Sequence, residues 1–305
     1  MAQPLTFMVP DALGGERVDK VVAVLGEMAR SEARAQCDEG LVTVDGAVAA
    51  AKSRVNAGSN ITFDPAAVPE VLAAEAVDFG VLYEDAHVIV IDKPTGLTVH
   101  PGAGRTAGTL AGGLLERFPD LEGVGQKGRW GLIHRLDRET SGALLVGRTP
   151  EAYAALVDEL ARRDVGRDYV ALVQGTFDLP LGTIDAPIGR DPHRPRQRAL
   201  IPTGRRAVTH YQMTRQWQNP GVALLAVQLE TGRTHQIRVH LAGIGHSVMG
   251  DRLYGRRDPI PMPRLFLHAA RLRFRHPATG DELRIESALP DDLAAVISAL
   301  GESED

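Results

Sequence analysis

Apolar residues recur at two different periods along this chain, and the switches between them mark out its elements. Over residues 17–25, Val18, Val21, Val22 and Leu25 fall at helical spacing, with Arg17 and Lys20 on another face. Ser31 opens a second helical run, SEARAQCDEG, with Glu32 in its first turn and Gly40 as a C-terminal cap. The alternating stretch LVTVDGAVA then predicts a hairpin, because Asp45-Gly46 suits the turn whose twist matches paired strands. A last short strand over residues 59–63 completes a small α+β module at 16–63, preceded by an extension at 1–15. From Phe79 onward β-type runs dominate: VLYE, HVIVIDKP, ALLVGRT, DYVALVQG, VTHYQM, VALLAVQLE, HAARLRFRH and ELRIESAL. Helical periodicity interrupts them at 109–118, 150–163 and 234–243, and returns at 290–300. Strands outnumber helices and no βαβ rhythm develops, so the predicted class is α+β.

Residues 64–78, DPAAVPEVLAAEAVD, are short-chained and acidic and carry two prolines, which predicts a linker. A chain of 305 residues can then bury one large core, over 79–300, beside the small one, with 301–305 as an acidic tail. The formal net charge of −5 offers no overall attraction to nucleic acid, yet the charge is unevenly spread. Residues 189–215 carry Arg190, Arg194, Arg196, Arg198, Arg205, Arg206 and Arg215 against the single acid Asp191, a basic loop suited to phosphates. In the small module Arg17, Lys20, Arg30, Arg34, Lys52 and Arg54 can line one side, diluted by Glu27, Glu32, Asp38 and Glu39. Cys37 is the only cysteine, which excludes an internal disulfide and points to a reducing compartment. The opening MAQPLTFMVP lacks the basic and apolar regions of a secretion signal, and no apolar run is long enough to span a bilayer. A cytoplasmic monomer with no membrane partner is the expectation.

Chemistry concentrates in residues 131–142, GLIHRLDRETSG, where Asp137 stands among His134, Arg135 and Arg138. Cationic neighbours favour the ionised form of a carboxylate, the form a nucleophile or a base needs. Thr140-Ser141-Gly142 supplies turn chemistry just ahead of the strand-like ALLV. The spacing of His134, His235, His240 and His246 fits no metal framework, and structural hydrogen bonding is their expected role. Thr231-Gly232-Arg233 has too little glycine for a phosphate loop.

The segment 131–142 resembles the HRLDxxTSG motif of the RluA/RluD-type RNA pseudouridine synthases. Residues 166–175, GRDYVALVQG, are similar to that family's tyrosine motif, and 229–254, LETGRTHQIRVHLAGIGHSVMGDRLY, to its arginine motif. Residues 83–102, YEDAHVIVIDKPTGLTVHPG, resemble the strand and loop that open its catalytic domain. The matches run in order and span most of 79–280. The module at 16–63 resembles the small RNA-binding αL motif shared with a small-subunit ribosomal protein. The resemblance implies a long, mixed, mainly antiparallel sheet with a cleft across its middle. It implies an isomerase of uridines in structured RNA, foremost large-subunit (23S) ribosomal RNA, working without metal or redox cofactor. It makes Asp137 the catalytic carboxylate, acting either as nucleophile at C1′ or as base at the ribose. It makes Arg238 a bidentate partner of Asp137, Tyr169 a stacking surface for uracil, Arg135 a brace for the displaced strand and Leu267 an apolar wall beneath the base. Arg167 stands where the family usually has lysine, and Glu139 departs from the family's commoner residue.

Two other readings are open. A ribosome-assembly factor would bind RNA without chemistry, although binding alone needs no carboxylate facing RNA. A retaining glycosidase or nucleosidase would need a second positioned carboxylate.

Overall fold

The computed structural model describes residues 4–26, 28, 30–63, 74–100, 107–126, 129–192, 194 and 197–303. Residues 64–73 of the predicted linker lie outside these, as do Glu27, Arg196 and residues 304 and 305 of the acidic tail. The chain divides into two compact units, Met1–Val71 and Leu72–Asp305.

In the first unit the strands are β1 (Leu5–Met8), β2 (Thr43–Val44), β3 (Ala47–Val48) and β4 (Asn60–Phe63), with helices α1 (Val18–Leu25) and α2 (Arg30–Asp38). They form a sheet in the order β1-β4-β2-β3. The apolar face of α1 (Val18, Val21, Val22) packs with Cys37 of α2 and with Ile61 and Phe63 of β4. Asp45 and Gly46 hold φ values of 49° and 82°, the paired left-handed conformations that the hairpin turn demands. Strand β1, ahead of the module predicted at 16–63, joins the sheet by pairing along β4 with Phe7 opposite Ile61. Several of the basic side chains also pair within the unit. Asp19, nearly fully buried, takes Arg17 at 2.5 Å and Arg30 at 2.8 Å, Lys20 pairs with Glu16, and Arg34 pairs with Asp38. A buried carboxylate requires such partners, while Lys20, Arg30 and Arg34 still keep about half of their side-chain surface exposed.

The second unit holds β5 (Gly80–Glu84), β6 (Val88–Lys93), β7 (Ser141–Gly147), β8 (Gly166–Gln174), β9 (Leu181–Asp185), β10 (Ile188–Arg190), β11 (Arg198–Leu200), β12 (Val208–Trp217), β13 (Val222–Leu229), β14 (Leu267–Arg275) and β15 (Glu282–Glu286). Its helices are α3 (Leu110–Arg117), α4 (Pro150–Arg162), α5 (Gln236–Gly243) and α6 (Asp291–Leu300). Among the described residues the main sheet has nine strands in the order β5-β6-β7-β14-β8-β13-β12-β9, with β15 also paired to β14. Its pairings are antiparallel except β7 with β14, where His268 lies opposite Ser141 and Ala269 opposite Gly142. The β6–β7 part of the sheet is covered on both faces. Ile89, Ile91, Leu144 and Val146 pack on one side with α3, while Val88, Val90, Ala143 and Leu145 pack on the other against Leu156 of α4. Burial on both faces explains why VIVI and ALLV read as continuous apolar runs rather than alternating ones.

Helix boundaries follow local chemistry. Thr109 and Thr149 cap α3 and α4 with their side chains, and Pro150 takes the first position of α4, where no backbone donor is needed. Helix α5 starts later than predicted, at Gln236, because His235 is left-handed with φ 59°. Strands β9, β10 and β11 were not predicted. The arginine-rich stretch read as a loop folds as the β10–β11 hairpin and runs on into β12. No helix among the described residues is long and apolar enough to cross a membrane.

Candidate active site

The strand order β7-β14-β8 brings three motifs to one place. Asp137 lies in the loop entering β7, Leu267 begins β14, and Tyr169 sits mid-way along β8, opposite Ala269 on one side and Val227 on the other. The close parallel contact depends on Gly142, which has φ +113°; a Cβ there would stand 2.3 Å from the carbonyl oxygen of Ala269. Above these strands opens a cleft of about 550 Å³, lined by Asp137, Tyr169, Arg238, Arg135 and Leu267 among others. That size falls within the range of small-molecule sites, roughly 300–1,000 Å³.

The loop that carries Asp137 is held by its backbone. Lys93, buried at the end of β6, donates from Nζ to the carbonyls of Pro94 (2.8 Å), Leu97 (3.0 Å) and Arg138 (3.3 Å). The Gly96 N–H also reaches Arg138 O, and the Thr95 hydroxyl donates to Glu139 O. Burial pushes the Lys93 ammonium down to about 7, with the charge of Asp137 opposing the shift.

Arg238 points from the first turn of α5 toward Asp137, but the expected two-pronged pairing goes elsewhere. Its Nε and Nη2 donate to the two carboxylate oxygens of Asp251 at 2.7 and 2.8 Å, and only Nη1 remains for Asp137 Oδ2, at 3.3 Å. Both members of the Arg238–Asp251 pair are buried, whereas the Asp137 side chain is 15% exposed to the cleft. Burial works to raise the Asp251 carboxyl, yet the Arg238 hydrogen bonds and charge outweigh it and hold Asp251 below its ordinary value. Asp251 Oδ1 further accepts the backbone N–H groups of Leu253 and Tyr254. That is the turn geometry an aspartate favours two or three residues ahead, and it is the sequence signal by which this residue was open to detection.

Tyr169 is buried, and burial pushes its phenol up to about 12, with Arg167 lowering and Asp137 raising it. Leu267 is buried at the cleft floor and Arg135 is exposed at its rim. Arg167 is buried without a carboxylate partner among the described residues. Its Nη2 makes long contacts to the carbonyls of Leu229 (3.4 Å) and Glu230 (3.3 Å), and its Nε has no partner there. The histidines divide. His134 accepts the Leu145 N–H on Nε2, and burial first, then the charge of Arg167, pushes it down to about 3. His240 binds Thr209 Oγ1 and Ala186 O, and His246 binds Gln174 O and stacks on Phe177. His235 differs, for it lies in the cleft wall with Nε2 at 4.0 Å from Asp137 Oδ2. Among the described residues no three His, Cys, Asp or Glu side chains converge as a metal-sized group.

A family model described as RNA pseudouridylate synthase matches residues 87–243, just over half of the chain. The chain belongs to that family. The synthase also carries an S4 domain, matched over residues 16–61. It is 42% identical over 308 residues to the ribosomal large subunit pseudouridine synthase D of Nitrosomonas europaea, covering 97% of this chain and 88% of that protein. It is 41% identical to the protein of that name from Pseudomonas aeruginosa, covering 96% and 94%. Among solved structures, human RNA pseudouridylate synthase domain containing 4 is 25% identical with a TM-score of 0.57, covering 72% of this chain and 92% of that one. Human RNA pseudouridylate synthase domain containing 1 shares the fold, at 24% identity and a TM-score of 0.56, covering 78% and 99%.

As a member of this family the synthase is an isomerase that converts uridine to pseudouridine in RNA. The N1–C1′ bond breaks and a C5–C1′ bond forms; C5 loses a proton and N1 gains one. Nothing is oxidised or hydrolysed, so the demand on the protein is a group that acts on the sugar and a surface that holds the freed base.

Proposed function

We propose that this synthase isomerises particular uridines of large-subunit ribosomal RNA in the cytoplasm, with Asp137 as the carboxylate that acts on the ribose of a flipped-out nucleotide. One observation carries the reading: of the two carboxylates lining the cleft, Glu230 is paired with Arg163 and Arg206, while Asp137 stands beside Tyr169 and Leu267 and its neighbour Arg238 is itself locked on Asp251. A guanidinium so anchored cannot swing away, so it stabilises a negative charge at a fixed point. Tyr169 offers its ring to the uracil, and its hydroxyl, neutral at physiological pH, is available for proton transfer at C5. Leu267 supports the base from below. Arg135, at the rim, fills or braces the place the nucleotide leaves, an eversion that costs a few kcal/mol. The β10–β11 hairpin and the S4 domain contribute phosphate contacts, whose affinity falls with salt. Relatives of nearly full length that are named for the large ribosomal subunit support that choice of RNA.

Asp137→Asn tests the assignment. Pseudouridine in a ribosomal RNA transcript, counted by mass spectrometry, should vanish while RNA binding persists. Retained turnover in a pure preparation would overturn it. If wild-type protein binds the transcript and forms no pseudouridine in any ribosomal RNA, the non-catalytic assembly role takes its place.

A further inference from the structure

His235 stands immediately before α5 in a left-handed conformation, φ 59° and ψ 22°. A bulky non-glycine residue keeps such a backbone only where its surroundings hold it there, and these places cluster at working sites. The side chain shows what does the holding. His235 Nδ1 is 2.7 Å from the hydroxyl of Tyr254, and that hydroxyl also accepts the backbone N–H of Arg198 at 2.8 Å. A phenol carries one proton. With the Arg198 N–H on the oxygen, one proton remains on the phenol, and the 2.7 Å contact lets it donate to His235 Nδ1. That direction places the imidazole hydrogen on Nε2, the nitrogen that faces Asp137. Tyr254 serves the other donor too. Its ring lies 5.2 Å from the Arg238 guanidinium, and its backbone N–H binds Asp251.

Both approaches to Asp137 fall on the same oxygen. Arg238 Nη1 is 3.3 Å from Oδ2 and His235 Nε2 is 4.0 Å from Oδ2, while Oδ1 has no partner among the described residues. At 4.0 Å the histidine is beyond hydrogen-bond length, and a movement of about 1 Å closes the gap, as commonly happens when substrate fills a site. Resting on the proposed role of Asp137, we infer that His235 is a positioning residue: with its tautomer set by Tyr254, it joins Arg238 in holding Oδ2 and leaves Oδ1 as the oxygen presented to the ribose. Burial favours the neutral ring this requires, against the charge of Asp137.

The test uses the full-length protein with His235→Ala, His235→Gln and Tyr254→Phe. A reacting group misplaced by about 1 Å can cost on the order of 100-fold in rate, so a loss of about 10–100-fold is expected when one of its two holds is removed. His235→Ala should lower kcat by that factor with KM and RNA affinity unchanged. His235→Gln, which can return an N–H near the Nε2 position, should recover part of the loss. Side-chain 15N NMR of wild-type protein should report a proton on His235 Nε2, and Tyr254→Phe should mix the tautomers; this readout needs no turnover. A proton on Nδ1 in the wild type, or full kcat in both His235 variants while Asp137→Asn is inactive, overturns the inference. Turnover by Asp137→Asn would instead remove the reading on which it stands, and the two failures are therefore separable. Should His235→Ala fail to fold, the glutamine variant and the NMR measurement decide.

Discussion

Asp251→Asn should damage this protein more deeply than Asp137→Asn, although the second removes the proposed catalytic group. Asp251 is sealed from solvent and takes two of the three hydrogen bonds made by Arg238, at 2.7 and 2.8 Å. Breaking a buried ion pair by removing one charge costs roughly 3–5 kcal/mol, because the surviving charge is left without compensation. Asparagine retains one carbonyl oxygen for Arg238 or for the turn N–H groups, so the low end, about 3 kcal/mol, is the expected loss. In a domain of roughly 150–250 residues each kcal/mol moves Tm by about 2–4 °C, giving a fall of about 6–12 °C. Asp137, by contrast, makes one 3.3 Å contact to Arg238 and is partly exposed, and its loss leaves Arg238 paired with Asp251. The expected cost is below about 1 kcal/mol. Asp251→Asn should also slow turnover, since Arg238 would then lean toward Asp137 as its remaining anion. Differential scanning calorimetry of both variants, with pseudouridine counted in parallel, gives the comparison. Equal Tm losses, or an unchanged Tm for Asp251→Asn, would refute the view that Asp251 carries the structural half of the pair and Asp137 the chemical half.

Three further outcomes are expected. Tyr169→Phe should keep RNA affinity, which resides in the ring, and lower kcat by about 100-fold or more if the hydroxyl moves a proton at C5; rapid-quench turnover measures it. Gly142→Ala should cost more than about 3 kcal/mol, since its φ of +113° and a 2.3 Å approach to Ala269 O leave no room for a methyl group; a wild-type denaturation midpoint would contradict the parallel β7–β14 contact. His134 is depressed from 6.5 to about 3, so between those values the unfolded chain binds a proton that the native protein refuses. Stability is then full above pH 6.5 and declines as pH falls through this window, by at most about 1.4 kcal/mol per pH unit. His134→Gln retains an acceptor for the Leu145 N–H and should flatten that decline in urea titrations between pH 4 and 7.

Much of the architecture was legible because periodicity and burial agree where an element packs on a single core. Helix α4 and the helix starting at Val18 show this, as does the Asp45-Gly46 hairpin. Strands β9 to β11 were not legible. LGTID and the arginine-rich hairpin have too few apolar positions to betray a period, and their order comes from pairing with β12 and with each other. Strand β1 was hidden in the same way, since LTFM gains meaning only beside β4. At the site, motif order drew Asp137, Tyr169, Arg238, Arg135 and Leu267 together, and the cleft lining contains all five. What the motifs left out was the division of labour around Arg238. Which of two carboxylates takes the forked face of a guanidinium depends on burial, and burial belongs to the folded chain. His235 was passed over because spacing can exclude a metal and says nothing about a left-handed residue aimed at a carboxylate.

The buried ammonium at Lys93 has a consequence for how substrate and enzyme meet. Three carbonyl oxygens from two separate loops close around one cation, and an excursion of the acid-bearing loop would take away the Arg138 carbonyl, one of those three, together with the Gly96 and Thr95 hydrogen bonds. The segment behaves as a cast rather than a lid. On the role proposed for Asp137, adaptation on engagement then falls to the polynucleotide, which would bend and unstack to reach a stationary oxygen, favouring uridines whose surroundings yield most readily.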